Sequence, residues 1–173
     1  MAQRRVFLDA NVIIEAFRIS VWPELSQGCW LETVEKCEEE SLTGGITSPQ
    51  SVRVDAQALR AGLRRYHPVG KADRKALVQA HAACTGMDPG EKDLFAYLFV
   101  NHQPLPPLIV VSSGDKGVVV RAKELGWLQN LVSLEDLLVA CGVSKAKLRL
   151  LDIPHYASFL SDVRTKVMLG VIP

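Results

Sequence analysis

The chain has 173 residues, enough for one compact domain that buries a sizeable core. Hydrophobic residues make up 48% of it and charged residues 23%, which excludes a mostly disordered chain. The net charge is +1, so a nucleic-acid partner has to be served by a local patch and not by a global polycation.

Arg5-Val6-Phe7-Leu8-Asp9 reads as a short buried strand, and Asn11–Arg18 follows a helical pattern through Val12, Ile13, Ala16 and Phe17. Trp22-Pro23 and Gly28 mark a loop. Trp30-Leu31-Glu32-Thr33 is a second strand, leading into a helix from about Val34 to Leu42 that Thr43-Gly44-Gly45 stops. From Gln50 to Ala83 the pattern is helical, with a break at His67-Pro68-Val69-Gly70. Asp88-Pro89-Gly90-Glu91 predicts a helix start, with Asp88 as N-cap, Pro89 at the first position and Glu91 completing a capping box. That helix runs to about Asn101, and Pro104–Pro107 is a rigid connector. Leu108-Ile109-Val110-Val111 is uninterruptedly apolar, as a central parallel strand should be. After Ser112-Ser113-Gly114-Asp115 comes a helix to about Leu125, closed by Gly126. Leu131-Val132 is a last short strand, and a helix capped by Ser133 runs through Ala140 to Gly142. The tail from Lys145 is helical. This strand–helix alternation predicts an α/β sandwich with a short, mainly parallel sheet.

Four cysteines, Cys29, Cys37, Cys84 and Cys141, are scattered without a C-x-x-C pair, so zinc or iron–sulfur spacing is absent. Met1-Ala2-Gln3-Arg4-Arg5 leads straight into a strand without a signal-like apolar run, and a disulfide framework is not expected. No apolar stretch approaches the roughly 20 residues of a membrane span. The expectation is a reduced, cytoplasmic protein with no membrane partner.

Asp9 ends the first strand and Asp115 follows the most strand-like run. Ligands of open α/β sheets bind beyond the carboxyl ends of strands, where the strand order switches. If the two strands are neighbours, their carboxylates converge and repel unless a cation bridges them. Glu91 and Asp93 lie in the first turn of the Asp88-capped helix, and Glu38, Glu39 and Glu40 lie on the helix after the second strand. Convergent carboxylates without a cysteine or histidine cluster describe an oxygen-ligand site for Mg²⁺ or Mn²⁺, suited to phosphodiester hydrolysis. Each acid also has a structural reading: Asp9 and Asp115 as N-caps, Glu91 and Asp93 as dipole partners, the glutamate run as a solvated face.

Val6-Phe7-Leu8-Asp9-Ala10-Asn11-Val12-Ile13-Ile14 resembles the opening of PIN-domain nucleases, a strand, then D-x-N, then an aliphatic helix. Asp88-Pro89-Gly90-Glu91-Lys92-Asp93 resembles that family's G-E-x-E/D stretch. Val110-Val111-Ser112-Ser113-Gly114-Asp115-Lys116 resembles its strand ending in a small hydroxyl residue and an aspartate, and Leu131–Leu134 its last short strand. The order matches, over roughly residues 5–141. The resemblance implies a three-layer α/β/α PIN-like sandwich and a Mg²⁺- or Mn²⁺-dependent nuclease, most often an endoribonuclease. By position, Asp9 and Asp115 would be metal ligands, joined by Glu91 or Asp93. Glu39 or Glu40 would supply the second family acid, with Glu38 less favoured. Asn11 would order the site, and Ser113 would position Asp115 or a water. The chain departs from the short toxin form in its helical middle, its tail, and the Ser-Gly spacer before Asp115. Residues 1–142 are therefore expected to form the nuclease domain, with an inserted middle at about 50–83 and a C-terminal extension, 143–173, packed on it. The alternatives are a catalytically silent RNA-binding or scaffold protein, and the toxin half of a toxin–antitoxin pair with an antitoxin-like partner. PIN domains often dimerise, so a homodimer is a further expectation. A receiver- or phosphatase-like domain with Asp9 as acceptor is a fourth reading; Lys116 does not clearly supply the lysine it needs.

Residues 53–75 hold Arg53, Arg60, Arg64, Arg65, Lys71, Arg74 and Lys75 against Asp55 and Asp73, a local excess of five positive charges. Arg60 and Arg64, four apart, share a helix face. Arg60, Arg64, Arg65, Lys71, Arg74 and Lys75, with Lys116, are the candidate contacts to nucleic-acid phosphates, the other reading being a solvated face paired elsewhere. Tyr66 and His67 are placed to stack on an unpaired base. Trp22, Trp30 and Trp127 are expected in the core or at a subunit interface, and His81, His102 and His155 carry no assignment.

Overall fold

A computed structural model describes residues 4–43 and 52–172. The stop at Gly44-Gly45 and the start of the middle segment at Gln50 lie outside the described residues. The structure is α/β, a four-stranded parallel sheet flanked by helices on both faces, a three-layer α/β/α sandwich.

Strand β1 (Arg5–Leu8) leads into α1 (Ala10–Arg18), and α2 (Trp22–Gly28) precedes β2 (Trp30–Val34) and α3 (Glu35–Thr43). Then come α4 (Ala56–Gly62), β3 (Arg65–His67), α5 (Lys71–Ala80), α6 (Pro89–His102), β4 (Ile109–Ser112) and α7 (Lys116–Glu124). The chain closes with α8 (Leu134–Ala140), α9 (Lys145–Leu148) and α10 (Ala157–Met168). The sheet order is β3-β2-β1-β4. The chain builds outward from β1 to β3, then crosses back to lay β4 against the other edge of β1. The strand order therefore reverses between β1 and β4, where an open sheet leaves a crevice beyond its carboxyl ends.

Side chains alternate across the strands. Phe7, Ile109 and Val111 pack on one face with Leu94, Phe95, Leu98 and Trp127. Val6, Leu8, Val110 and Leu31 pack on the other with Val12, Ile13, Leu25, Leu59 and Leu134. The C-terminal elements join both cores: Leu160, Val163 and Val167 of α10 the first, Leu148 and Leu151 the second. Trp22 and Trp127 are core residues, while Trp30 is half-buried with Arg64 lying 5.6 Å over its ring.

Several local expectations change. Trp22–Gly28 is a helix, not a loop, because Pro23 fits a first helical turn and Trp22 and Leu25 are buried. Arg65–His67 is an edge strand inside the segment expected to be helical; its hydrogen bonds come from β2, 31 or more residues earlier, which local pattern does not reveal. Leu131 makes only a single bridge to Val111, not a strand. Asp88 makes no side-chain cap, so the expected capping box is not closed from its side, although Pro89 takes the first turn as predicted. Ser133 does cap α8, accepting from the Asp136 amide at 3.0 Å. Gly126 and Gly142, expected helix stops, adopt φ of 74° and 75°, which favours glycine. Among the described residues, no helix is long and apolar enough to cross a membrane.

Candidate active site

β1 and β4 pair in parallel with Leu8 opposite Ser112, so the residues just beyond them, Asp9 and Ser113, are neighbours. The Asp9 amide donates to the Ser112 carbonyl at 3.1 Å, and Thr33 of β2 donates its hydroxyl to the Leu8 carbonyl at 2.6 Å. These contacts hold the end of β1 from both sides. Asp9 is buried. Its Oδ1 accepts from the Ala10 amide at 2.7 Å, making it the N-cap of α1, and its Oδ2 accepts from the Ser113 hydroxyl at 2.7 Å. Ser113 Oγ in turn accepts from the Asp115 amide at 3.1 Å, so one hydroxyl links both aspartates. Asp115 caps α7, accepting from the Gly117 amide at 2.5 Å. Asn11 Oδ1 accepts from the Gly114 amide at 3.3 Å and ties α1 to the same loop.

The remaining acids arrive from α3 and α6. Glu40 accepts from the Gly90 amide at 3.1 Å, and Gly90 is bare for a reason: a Cβ there would run into the Glu40 carboxylate and stand 3.1 Å from Cys37 Sγ. Asp88, Glu91 and Asp115 line one cleft. The electrostatics bind the set together. Burial, with the charges on Glu40 and Asp115, pushes Asp9 up to about 6 against the hydrogen bonds from Ser113 and Ala10. Burial likewise pushes Glu91 up to about 8, reinforced by repulsion from Asp9, Asp115 and Asp88. Glu40 is raised by burial too, opposed by the Gly90 amide and Lys36. Asp9, Asp88 and Asp115 stand at the N-caps of α1, α6 and α7, so these three helix N-termini lie beside the acids.

The other candidates sit elsewhere. Asp93, expected as a possible metal ligand, is buried but bound bidentately by Arg74 at 2.5 and 2.7 Å, so its oxygens are already neutralised. Arg74 is correspondingly not a free phosphate contact. Arg60 is likewise engaged, by Glu38 at 2.6 Å, which also accounts for Glu38. Glu39 is exposed and pairs with Lys36 at 3.0 Å, leaving Glu40 as the α3 acid near the cluster. Arg64, Arg65, Lys71 and Lys75 are exposed, and Lys116 lies 5.9 Å over the Phe159 ring. His67 is not a stacking platform for bases: it is buried, stacked 4.1 Å from Tyr97, and its Nε2 meets Glu32 at 2.7 Å. Tyr66 beside it is exposed.

Three residues near the site carry no functional assignment in the sequence. Asp88 reads as a helix cap, yet its carboxylate lines the cleft. Arg121 lines it as well, and its spacing of four from Gly117 is the only signal of that. His155 is the third: a Cβ on Gly114 would stand 3.0 Å from its ring and 3.1 Å from Pro154. The Ser-Gly spacer that departs from the family pattern is thus explained, because the C-terminal segment fills the space a side chain would need.

Among the described residues, no three His, Cys, Asp or Glu side chains are drawn close enough to grip a metal ion. The donor chemistry nevertheless suits a hard divalent cation, since it consists of carboxylate oxygens whose burial and mutual repulsion a positive ion would offset. The metal-free protein should lose stability as pH rises from 5.5 to 8.5. The sign follows from the raised carboxyls: the folded chain holds their protons more tightly than the unfolded chain, so stability is lost between the unfolded value near 4.5 and the folded value near 8 for Glu91. Glu91→Gln should raise the melting temperature at pH 8 by several degrees and leave it nearly unchanged at pH 5. An unchanged melting temperature at both pH values would show that Glu91 is not held in a repulsive setting.

No family model matches the chain, and no curated protein and no solved structure matches it.

Proposed function

We propose that the protein is a metal-dependent nuclease of the PIN-like type, acting on RNA. The observation that carries this reading is the meeting of Asp9, Glu91 and Asp115 at the sheet's switch point, where burial and mutual repulsion raise Asp9 and Glu91. Asp9, Asp115 and Glu91 would hold Mg²⁺ or Mn²⁺, with Glu40 close by; the Arg74 pairing of Asp93 favours Glu91 as the third acid. Such an ion, when bound, activates water and offsets charge on the scissile phosphate.

The chain's own groups do the rest. The Ser113 hydroxyl holds the Asp9 carboxylate and the Asp115 backbone at one spacing. Asn11 fixes the Gly114 backbone, and the helix N-termini beside the acids favour an anionic substrate group at the carboxyl edge of the sheet. The exposed cations Arg64, Arg65, Lys71 and Lys75 are available for backbone phosphates away from the chemistry. A cytoplasmic setting belongs to the same proposal.

The test is incubation of end-labelled single-stranded RNA with Mn²⁺ and with EDTA. Cutting that needs the ion supports the reading. Clean wild-type protein that cuts neither RNA nor DNA with Mg²⁺ or Mn²⁺ would sink it in favour of a silent RNA-binding protein.

A further inference from the structure

The cleft lined by Asp88, Glu91 and Asp115 also takes in the side chain of Arg121. Arg121 stands on α7 four residues after Gly117, so the two share one helix face, and the missing side chain at Gly117 leaves that face bare between Asp115 and the guanidinium. Gly117 is constrained by the cap: a Cβ there would stand 2.8 Å from Asp115 Oδ1. The guanidinium itself is weakly engaged. Its one ion pair among the described residues is with Glu124 at 3.3 Å, and Glu124 is itself exposed. A guanidinium has five N–H donors, so most remain to be used.

The contrast with Arg74 is informative. There the chain brings an arginine onto a buried carboxylate, Asp93, and neutralises it with two short contacts. Arg121 shares a cleft with three carboxylates but makes no ion pair with any of them among the described residues. A cleft that keeps a cation and several anions apart offers partners of both signs, which an anion associated with a divalent cation would complement.

We propose that Arg121 binds the two non-bridging oxygens of a phosphodiester of single-stranded RNA lying across this cleft. The inference rests on the nuclease reading for the role of the acids and adds the residue that holds the substrate phosphate. Arginine suits the task because its planar fork matches two phosphate oxygens at once.

The experiment is fluorescence anisotropy of a labelled single-stranded RNA with wild-type protein, R121A and R121K, in Ca²⁺ over a salt series, beside cleavage in Mn²⁺. R121A should bind roughly ten-fold more weakly, with a salt dependence shallower by about one unit in log–log slope. R121K should recover part of the affinity, since charge is kept and the fork is lost. Mn²⁺ affinity, followed by calorimetry, should not weaken in R121A. An R121A protein with wild-type circular dichroism and unchanged affinity and slope overturns the proposal, and so does a wild-type protein that binds neither RNA nor DNA. Arg121-dependent binding without any cleavage would remove the nuclease reading and uphold the phosphate contact. Equal, Arg121-dependent binding of DNA would uphold the contact as one made to the phosphodiester itself.

Discussion

Asp9→Asn should lower Mn²⁺-dependent RNA cleavage by on the order of a thousand-fold while leaving the protein folded. The substitution preserves shape but removes the charge. Asp9 uses both oxygens, one toward the Ala10 amide and one toward the Ser113 hydroxyl. An asparagine can accept with only one of them, and its NH₂ has to face one of these donors. Stability should respond in the opposite sense from activity. Burial, with the charges on Glu40 and Asp115, pushes the Asp9 carboxyl up to about 6, so near pH 8 its ionised form is costly in the metal-free protein. The variant is therefore expected to melt no lower than wild type at pH 8 without metal. Asp115→Asn should show a comparable loss of rate, because it removes the charge of the second proposed metal ligand while leaving the Asp115 amide's contact with Ser113 in place. Initial rates and melting temperatures on the same preparations check both. A folded Asp9→Asn protein cutting within about three-fold of wild type, in the same assay, would separate the chemistry from this carboxylate.

The second large effect falls far from the crevice and concerns stability. Glu32→Gln should cost about 3 kcal/mol, lowering the melting temperature by roughly 6–12 °C. Glu32 sits in β2 with 1% exposure and accepts from four donors: Arg5 Nε at 2.6 Å, Arg5 Nη2 at 2.8 Å, Trp30 Nε1 at 2.9 Å and His67 Nε2 at 2.7 Å. Burial alone would raise its carboxyl, but the hydrogen bonds from Arg5 and His67 prevail and hold it down at about 2. A folded-state value below the unfolded 4.5 means that the contribution is complete above pH 4.5 and is lost as pH falls toward 2. Denaturant melts of the two proteins should therefore differ most at neutral pH and converge in acid. A gap that stays constant down to pH 2 would mean that packing, not charge, accounts for the cost. Cleavage activity at 25 °C should be retained in the variant, which separates this network from the crevice.

Local pattern carried much of the architecture. The apolar runs at Val6–Leu8 and Ile109–Val111 are strands because side chains on both of their faces are buried, and such burial leaves an unmistakable apolar signature. Ser133, Gly126 and Gly142 marked helix ends through chemistry that acts within one turn. Asp9 and Asp115 are visible as candidates for the same reason: each stands between a strand and the helix that it opens. The edge strand Arg65–His67 and the helix Trp22–Gly28 were not visible, because pairing with β2 and burial against distant residues outweigh what their own short sequences prefer.

Sequence alone thus determined the α/β class, the strand–helix rhythm and the two aspartates at strand ends, all of which depend on spacing along the chain. Only the tertiary structure decided which acids share the crevice. Glu40, Glu91 and Asp88 are there, whereas Asp93 is taken by Arg74, Glu38 by Arg60 and Glu39 by Lys36. The Arg74 and Arg60 contacts join residues 19 and 22 positions apart, and the position of β4 beside β1 joins residues more than 100 apart. A carboxylate's role depends on the charge that reaches it in space, and that distance is set by packing and not by the order of residues.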